Sequence, residues 1–293
     1  MQKHPLAEIF GYPANNFTPE ADRHRVKRLC PFNNKVPNCT KDKAKDPLGV
    51  CSIFDDGKII VTCPVRFRQN WIIADDAAAF FFPENAKWTS LAEVRLDDKD
   101  GRSAGNIDVV LVAYDDAGKI TDFGSVEVQA VYISGNVRRP FEKYIENPKK
   151  FHDMKWDGPN YPRADFLSSS RKRLAPQLIY KGGIMNFWNR KMAVAVDRRF
   201  FASLPDLPET TKDKADIAWM VYDLALNKKS KQLDLIKYKI VYTSFEPALE
   251  IITRTEAGPI EKFITKLQEK LDEKLENGNS PDAPSLADII EQE

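Results

Sequence analysis

Residues 107–131 read IDVVLVAYDDAGKITDFGSVEVQAV, and the reading of this stretch decides the fold. Two apolar, β-branched segments, Ile107–Tyr114 and Phe123–Val131, are joined by the turn-forming Asp115-Asp116-Ala117-Gly118-Lys119. That composition and punctuation predict two adjacent antiparallel strands. Asp108 stands at the start of the first strand, and Glu127 and Gln129 are two apart on the second. Side chains alternate faces along a strand, so Glu127 and Gln129 emerge together. An acid among Val and Phe is costly to bury unpaired. A divalent metal shared between Asp108 and Glu127 would hold it, and two carboxylates beside a third polar group suit metal-assisted phosphodiester cleavage. Against this stands a plainer alternative: carboxylates on strands commonly face water.

Working outward, Trp88–Leu96 alternates apolar and polar residues and is expected to pair beside the Asp108 strand, which makes Glu93 a candidate extra acid. Asn70–Phe82 reads as a helix ended by Pro83, and Ile217–Leu226 and Lys237–Phe245 as two further core strands. Asn147–Arg163, rich in Pro, Lys and Trp, reads as a loop. The expected class is α/β (α+β), a mixed central sheet flanked by helices.

The four cysteines, Cys30, Cys39, Cys51 and Cys63, all lie in the first quarter of the chain. Cys51 and Cys63 flank a hairpin folding at Asp56-Gly57, which brings them opposite or one residue offset, with Cβ atoms about 5 Å apart. Two disulfides, four independent thiols and a four-thiolate metal site compete. The opening Met1–Leu6 has no apolar signal core, which favours the metal site, with zinc or iron equally suited to the sulfur ligands. The spacing is not that of common zinc fingers. Arg28, Lys35, Lys41 and Lys43 crowd this region, to offset thiolate charge or to reach phosphates.

The net charge of +1 over 293 residues does not announce a nucleic-acid binder. A nuclease can gather acids at its metal and bases along its groove, so that the sum cancels while the local field does not. Hydrophobic residues at 42% suffice for a sizeable core, and no run reaches the roughly 18 apolar residues of a membrane span. Phe166–Phe201 holds the densest mixture of basic and aromatic residues, with Arg171, Arg173, Asn186, Asn189 and Arg190 as candidate DNA contacts; the alternative is an amphipathic helix pair with a wet polar face. Arg138 and Arg139 follow the Gln129 strand and are candidates for the same reason. Ile260–Glu276 carries Ile260, Phe263, Ile264, Leu267, Leu271 and Leu275 at helical spacing, after Pro259 and before Gly278. This stripe suits a dimer contact or, by default, packing on the core. The tail from Asn279 onward is polar.

Together these residues resemble the NotI family of restriction endonucleases. The likeness runs through Ala7-Glu8-Ile9-Phe10-Gly11-Tyr12, Cys30-Pro31-Phe32, Gly49-Val50-Cys51, Cys63-Pro64, the Asp108 strand, Val126-Glu127-Val128-Gln129 and Ala218–Leu224. It implies a PD-(D/E)xK, restriction-endonuclease-like core with Asp108, Glu127 and Gln129 as the active-site triad. Gln129 stands where many related nucleases carry lysine. It also implies a small N-terminal module, 1–69, in which Cys30, Cys39, Cys51 and Cys63 ligate iron, where the thiolates alone suit iron or zinc, ahead of a nuclease core, 70–258, and a C-terminal helix and tail, 259–293. The implied activity is Mg²⁺-dependent hydrolysis of double-stranded DNA at a short palindrome, leaving 5′ phosphates, by a prokaryotic cytoplasmic homodimer without a nucleotide cofactor or membrane. A structure-specific repair nuclease and a non-catalytic DNA-binding protein with a structural metal are the alternatives.

Overall fold

A computed structural model of the chain describes residues 4–43, 45–156 and 160–276. The polar tail from Asn279 and the Gly278 helix stop lie outside the described residues. The chain divides into two units, Met1–Thr253 and Arg254–Glu293.

The first unit begins with a four-stranded sheet built from β1 (Leu6–Ile9), β2 (Tyr12–Pro13), β3 (Val50–Asp55) and β4 (Lys58–Val61), in the order β2-β1-β3-β4. The β3–β4 turn places Asp56 and Gly57 at φ of +48° and +72°, which a primed hairpin turn requires and which Asp-Gly supplies at low cost. Between β2 and β3 runs α1 (Pro19–Lys27), started by Thr18, whose side chain accepts from the Ala21 amide, and by Pro19 in its first turn.

Helix α2 (Ile72–Phe81) follows, within the expected span and stopped before Pro83. Strands β5 (Trp88–Asp97), β6 (Ser103–Tyr114) and β7 (Ile120–Gln129) then form an antiparallel meander. The quoted stretch is therefore the β6–β7 hairpin, and Trp88–Leu96 does pair beside β6. Strand β6 starts five residues before Asp108, which places that carboxylate within the strand rather than at its opening. The Asn147–Arg163 loop carries a short helix at Pro148–Phe151.

The same sheet continues through β8 (Met192–Asp197), β9 (Ile217–Asn227) and β10 (Gln232–Thr243), giving a six-stranded order β10-β9-β8-β7-β6-β5. Strand β8 runs parallel to both β7 and β9, so the sheet is mixed. The Phe166–Phe201 stretch is thus not a helix pair: its second part supplies a central strand. All six residues of β8 are buried and Met192–Val196 are apolar on both faces, so no alternation marks it as a strand.

Each face of the sheet is covered. Ala77, Ala78 and Phe81 of α2 share a cluster with Val109, Leu111, Val126, Ala193 and Met220. The opposite face packs Val194, Val196, Trp219 and Val221 with Tyr144, Leu174, Leu178 and Phe245. Tyr144 comes from α3 (Arg138–Glu146), Phe245 from α4 (Phe245–Thr253), and Leu174 and Leu178 from a helical run over residues 166–187. The N-terminal sheet is tied to the core by backbone: the Val131 amide donates to the Val61 carbonyl at 3.0 Å, and the Val61 amide to Asp197 Oδ2 at 3.1 Å.

In the second unit, α5 (Ile260–Glu276) has no buried residue, and Ile260, Phe263, Ile264, Leu267, Leu271 and Leu275 are all exposed. Helical spacing marks an amphipathic helix but does not name its partner. Among the described residues no helix is long and apolar enough to cross a membrane.

Candidate active site

Alternation and register assemble the site. In the β6–β7 ladder Val109 pairs with Val126, which puts Asp108 opposite Glu127 one step further along. Val109 and Val126 point to the α2 face, so Asp108 and Glu127 point together to the other. Asp108 Oδ2 accepts from the Val128 amide at 2.8 Å, which fixes the carboxylate across the ladder. Asp108 is half-buried and Glu127 fully buried.

Glu127 is held by a residue that strand periodicity does not reveal. Lys181 Nζ, reaching down from the helical run, donates to Glu127 Oε2 at 2.8 Å. Glu127 Oε1 is buried with no hydrogen-bond partner. Burial first, and then the Asp108 carboxylate, push the Glu127 carboxyl up to about 8, against the lowering effect of Lys181. A buried carboxylate beside a second acid, with one oxygen unsatisfied, suits a divalent cation: the ion would supply the missing partner and cancel the repulsion. Gln129 is also buried and shares this side of β7; its Nε2 donates to the Ala130 carbonyl at 2.7 Å.

Asp108 and Gln129 open into a cleft of about 1040 Å³, whose walls also carry Cys30, Cys39, Cys63, Lys41, Arg138, Lys172 and Arg173. Of the arginines and asparagines singled out in the sequence, Arg138 and Arg173 line this cleft; Arg139, Arg171, Asn186, Asn189 and Arg190 are not among its lining residues. Arg138 is engaged by Asp42 Oδ2 at 2.6 Å and Asp46 Oδ2 at 2.7 Å. Arg173 lies over the Tyr132 ring at 5.2 Å. Arg190 pairs with Asp122 at 2.8 Å, and Asn186 donates to Glu246 at 3.3 Å. Glu93 falls at a kink of β5 between the Ala92–Val109 and Val94–Ile107 pairs, with φ +57°. Its carboxylate is exposed, bridged to Lys35 Nζ at 2.9 Å and held low by that ammonium, while the groups acting on Glu127 are Asp108 and Lys181. Lys41, Lys172 and Lys181 were visible only as members of basic runs.

Cys30, Cys39 and Cys63 line the same cleft. The Thr62 amide donates to the Cys51 carbonyl at 3.0 Å, so Cys63 is one residue offset from Cys51 across the β3–β4 hairpin. Cys30 and Cys39 are brought in by the 28–39 loop, where the Cys30 amide meets Pro37 O and the Cys39 amide meets Arg28 O. All four are free thiols. Burial pushes Cys30 up to about 11 and raises Cys39 and Cys51; Cys63 and Cys39 add to the rise at Cys30, and Cys63, Glu8, Cys30 and Cys39 to that at Cys51. The four sulfurs thus lie within electrostatic reach of one another, a donor set suited to a thiophilic ion. Among the described residues, no three His, Cys, Asp or Glu side chains are grouped as a ready-made metal cage.

No curated protein matches the chain. Residues 15–235, about three quarters of its length, match the family of restriction endonuclease NotI. That span includes the four cysteines, Asp108, Glu127 and Lys181. The chain belongs to the NotI restriction endonuclease family and is a type II site-specific deoxyribonuclease, a hydrolase.

Proposed function

We propose that the chain cuts both strands of DNA at a short palindromic sequence, with Mg²⁺ at Asp108 and Glu127, and leaves 5′ phosphates. The observation that carries this reading is Glu127 Oε1, a buried oxygen without a partner beside a second carboxylate. When bound, Mg²⁺ would lower the pKa of a nearby water and offset charge on the phosphate. Asp108, fixed by the Val128 amide, and Glu127, fixed by Lys181, are the two protein ligands. Gln129 lines the cleft and would orient water by hydrogen bonding; as a neutral amide it brings no positive charge to the developing anion. Lys172 and Arg173 on the cleft wall suit the DNA backbone. A palindromic site treats its two strands alike, which a two-fold homodimer satisfies. The four cysteines would hold one iron or zinc ion, and a site closed by four protein ligands leaves no place for a reacting water, so that ion shapes the cleft rather than cutting.

The test is digestion of a sequenced plasmid with and without Mg²⁺, by the parent and by Asp108→Asn. Discrete fragments with 5′ phosphates from the parent in Mg²⁺, and none from the variant, are expected. Cutting by Asp108→Asn at the parent rate would remove the site assignment.

A further inference from the structure

Gln129 brings no charge to the site, and its amide donates to the neighbouring Ala130 carbonyl. The site nevertheless contains an ammonium. Lys181 arrives from 52 residues further along the chain (181 less 129), is itself buried, and its Nζ sits 2.8 Å from Glu127 Oε2. Burying a lysine costs several kcal/mol unless it is paired, so this contact holds both partners in place.

Two features of the backbone are shaped around that side chain. Lys181 lies in a π-helical turn, Leu178–Gly182, within the helical run; such widened turns are rare and gather at functional sites. Opposite it, Gly105 of β6 takes φ +108°, and a Cβ there would come within 3.3 Å of Lys181 Cε. The missing side chain leaves room for the lysine stem over the strand that carries Asp108. On the other side Gly182 lets the run approach Phe245, whose ring carbon would lie 2.7 Å from a Cβ at that position.

We propose that Lys181 is a positioning residue for DNA hydrolysis: it brings from the helical run the positive charge that Gln129 lacks, and holds Glu127 beside Asp108 with one oxygen turned free for the cation. The inference rests on the active-site reading above. Glu127 faces Asp108 from β6, Lys181 from the helical run, and the apolar Val194 from β8, so Lys181 is the cation that meets it. Without Lys181, the buried Glu127 Oε2 would lose its donor and the side chain its anchor beside Asp108. The consequence is a loss of cutting that a second basic side chain at this place relieves and a neutral one does not.

The experiment is single-turnover cleavage of a plasmid in Mg²⁺ by the parent, Lys181→Met, Lys181→Gln, Lys181→Arg and Asp108→Asn. Retention of DNA on a gel without metal checks that each variant is folded. The expected result for Lys181→Met and Lys181→Gln is a loss of about 100-fold in the cleavage rate, because Glu127 is no longer held in place. Lys181→Arg, which keeps the charge, should stay within about tenfold of the parent, as should Lys181→Met carrying Gln129→Lys as a second change. Parent-like rates in Lys181→Gln overturn the proposal, as does a loss that neither Lys181→Arg nor the added Gln129→Lys relieves. If Lys181→Met does not fold, the contrast between Gln and Arg decides alone. Asp108→Asn keeps the two readings apart: its silence alongside parent-like Lys181 variants removes only the role of Lys181, whereas its activity removes the site itself.

Discussion

At the scale of single residues, Glu127 sets a pH dependence whose sign can be worked out. An ordinary glutamate titrates near 4.5, while burial and the Asp108 carboxylate push Glu127 up to about 8 in the folded chain. Between these values the folded chain holds a proton that the unfolded chain has released, so stability falls as pH rises through the window. The full cost, on the order of 5 kcal/mol, is present above about pH 8 and absent below about 4.5. Glu127→Gln resembles the protonated side chain. In EDTA, parent and variant should melt together near pH 5, and the variant should melt higher at pH 8.5. Adding Mg²⁺ at pH 8.5 should raise the parent and leave the variant where it was. A gap that is the same at pH 5 and 8.5 would contradict this account of Glu127. The two carboxylates were legible in the sequence because strand alternation is a strict rule, and the hairpin turn fixes which residues oppose each other. Lys181 was not: its contact with Glu127 spans 54 positions, and a lysine in a basic run gives no sign of which way it turns.

At the scale of elements, the four thiols come from the hairpin β3–β4 with its flank and from the loop over residues 28–39, and on the proposed reading a bound metal would order the loop more than the hairpin. The hairpin has its own ladder, with Ser52 paired to Val61 and Phe54 to Ile59. The loop has little regular structure beyond the Leu29–Asn38 bridge. One iron or zinc ion per chain is expected by elemental analysis of the purified protein, and none in Cys51→Ala. The variant should also become open to proteolysis between Cys30 and Cys39 while the six-stranded sheet remains protected. A full complement of metal in Cys51→Ala would show that Cys51 is not a ligand. The hairpin was readable from Asp56-Gly57 and its flanking β-branched runs. Strand β8 was not: a buried central strand loses the polar alternation that identifies it, and its neighbours β7 and β9 lie far along the chain on either side. The apolar stripe of α5 was equally plain, yet its spacing carried no information about what it touches.

At the scale of the whole molecule, a net charge of +1 conceals a local asymmetry. Lys41, Arg138, Lys172 and Arg173 line one cleft with Asp108 at its floor, and Arg138 is already engaged by Asp42 and Asp46. Lys41 is also occupied, donating to the Val50 carbonyl at 2.6 Å and the Thr62 carbonyl at 3.1 Å. Exposed Lys172 and Arg173 are therefore the cleft residues suited to phosphates. Each phosphate neutralised releases counterions, which steepens the fall of affinity with salt by close to one unit of log Kd per log salt. Replacing Lys172 and Arg173 together by Met should flatten that slope by about two and weaken binding to specific and unrelated DNA alike, measured without divalent metal. Arg190 provides the contrast, since it is outside the cleft lining and paired with Asp122. Arg190→Met should leave the slope unchanged. The density of basic residues along 166–201 could not separate these two outcomes, because Lys172, Arg173 and Arg190 belong to one run of sequence but to different surroundings in the fold. A slope that flattens for Arg190→Met and not for the Lys172 and Arg173 pair would place the DNA somewhere other than the cleft above Asp108.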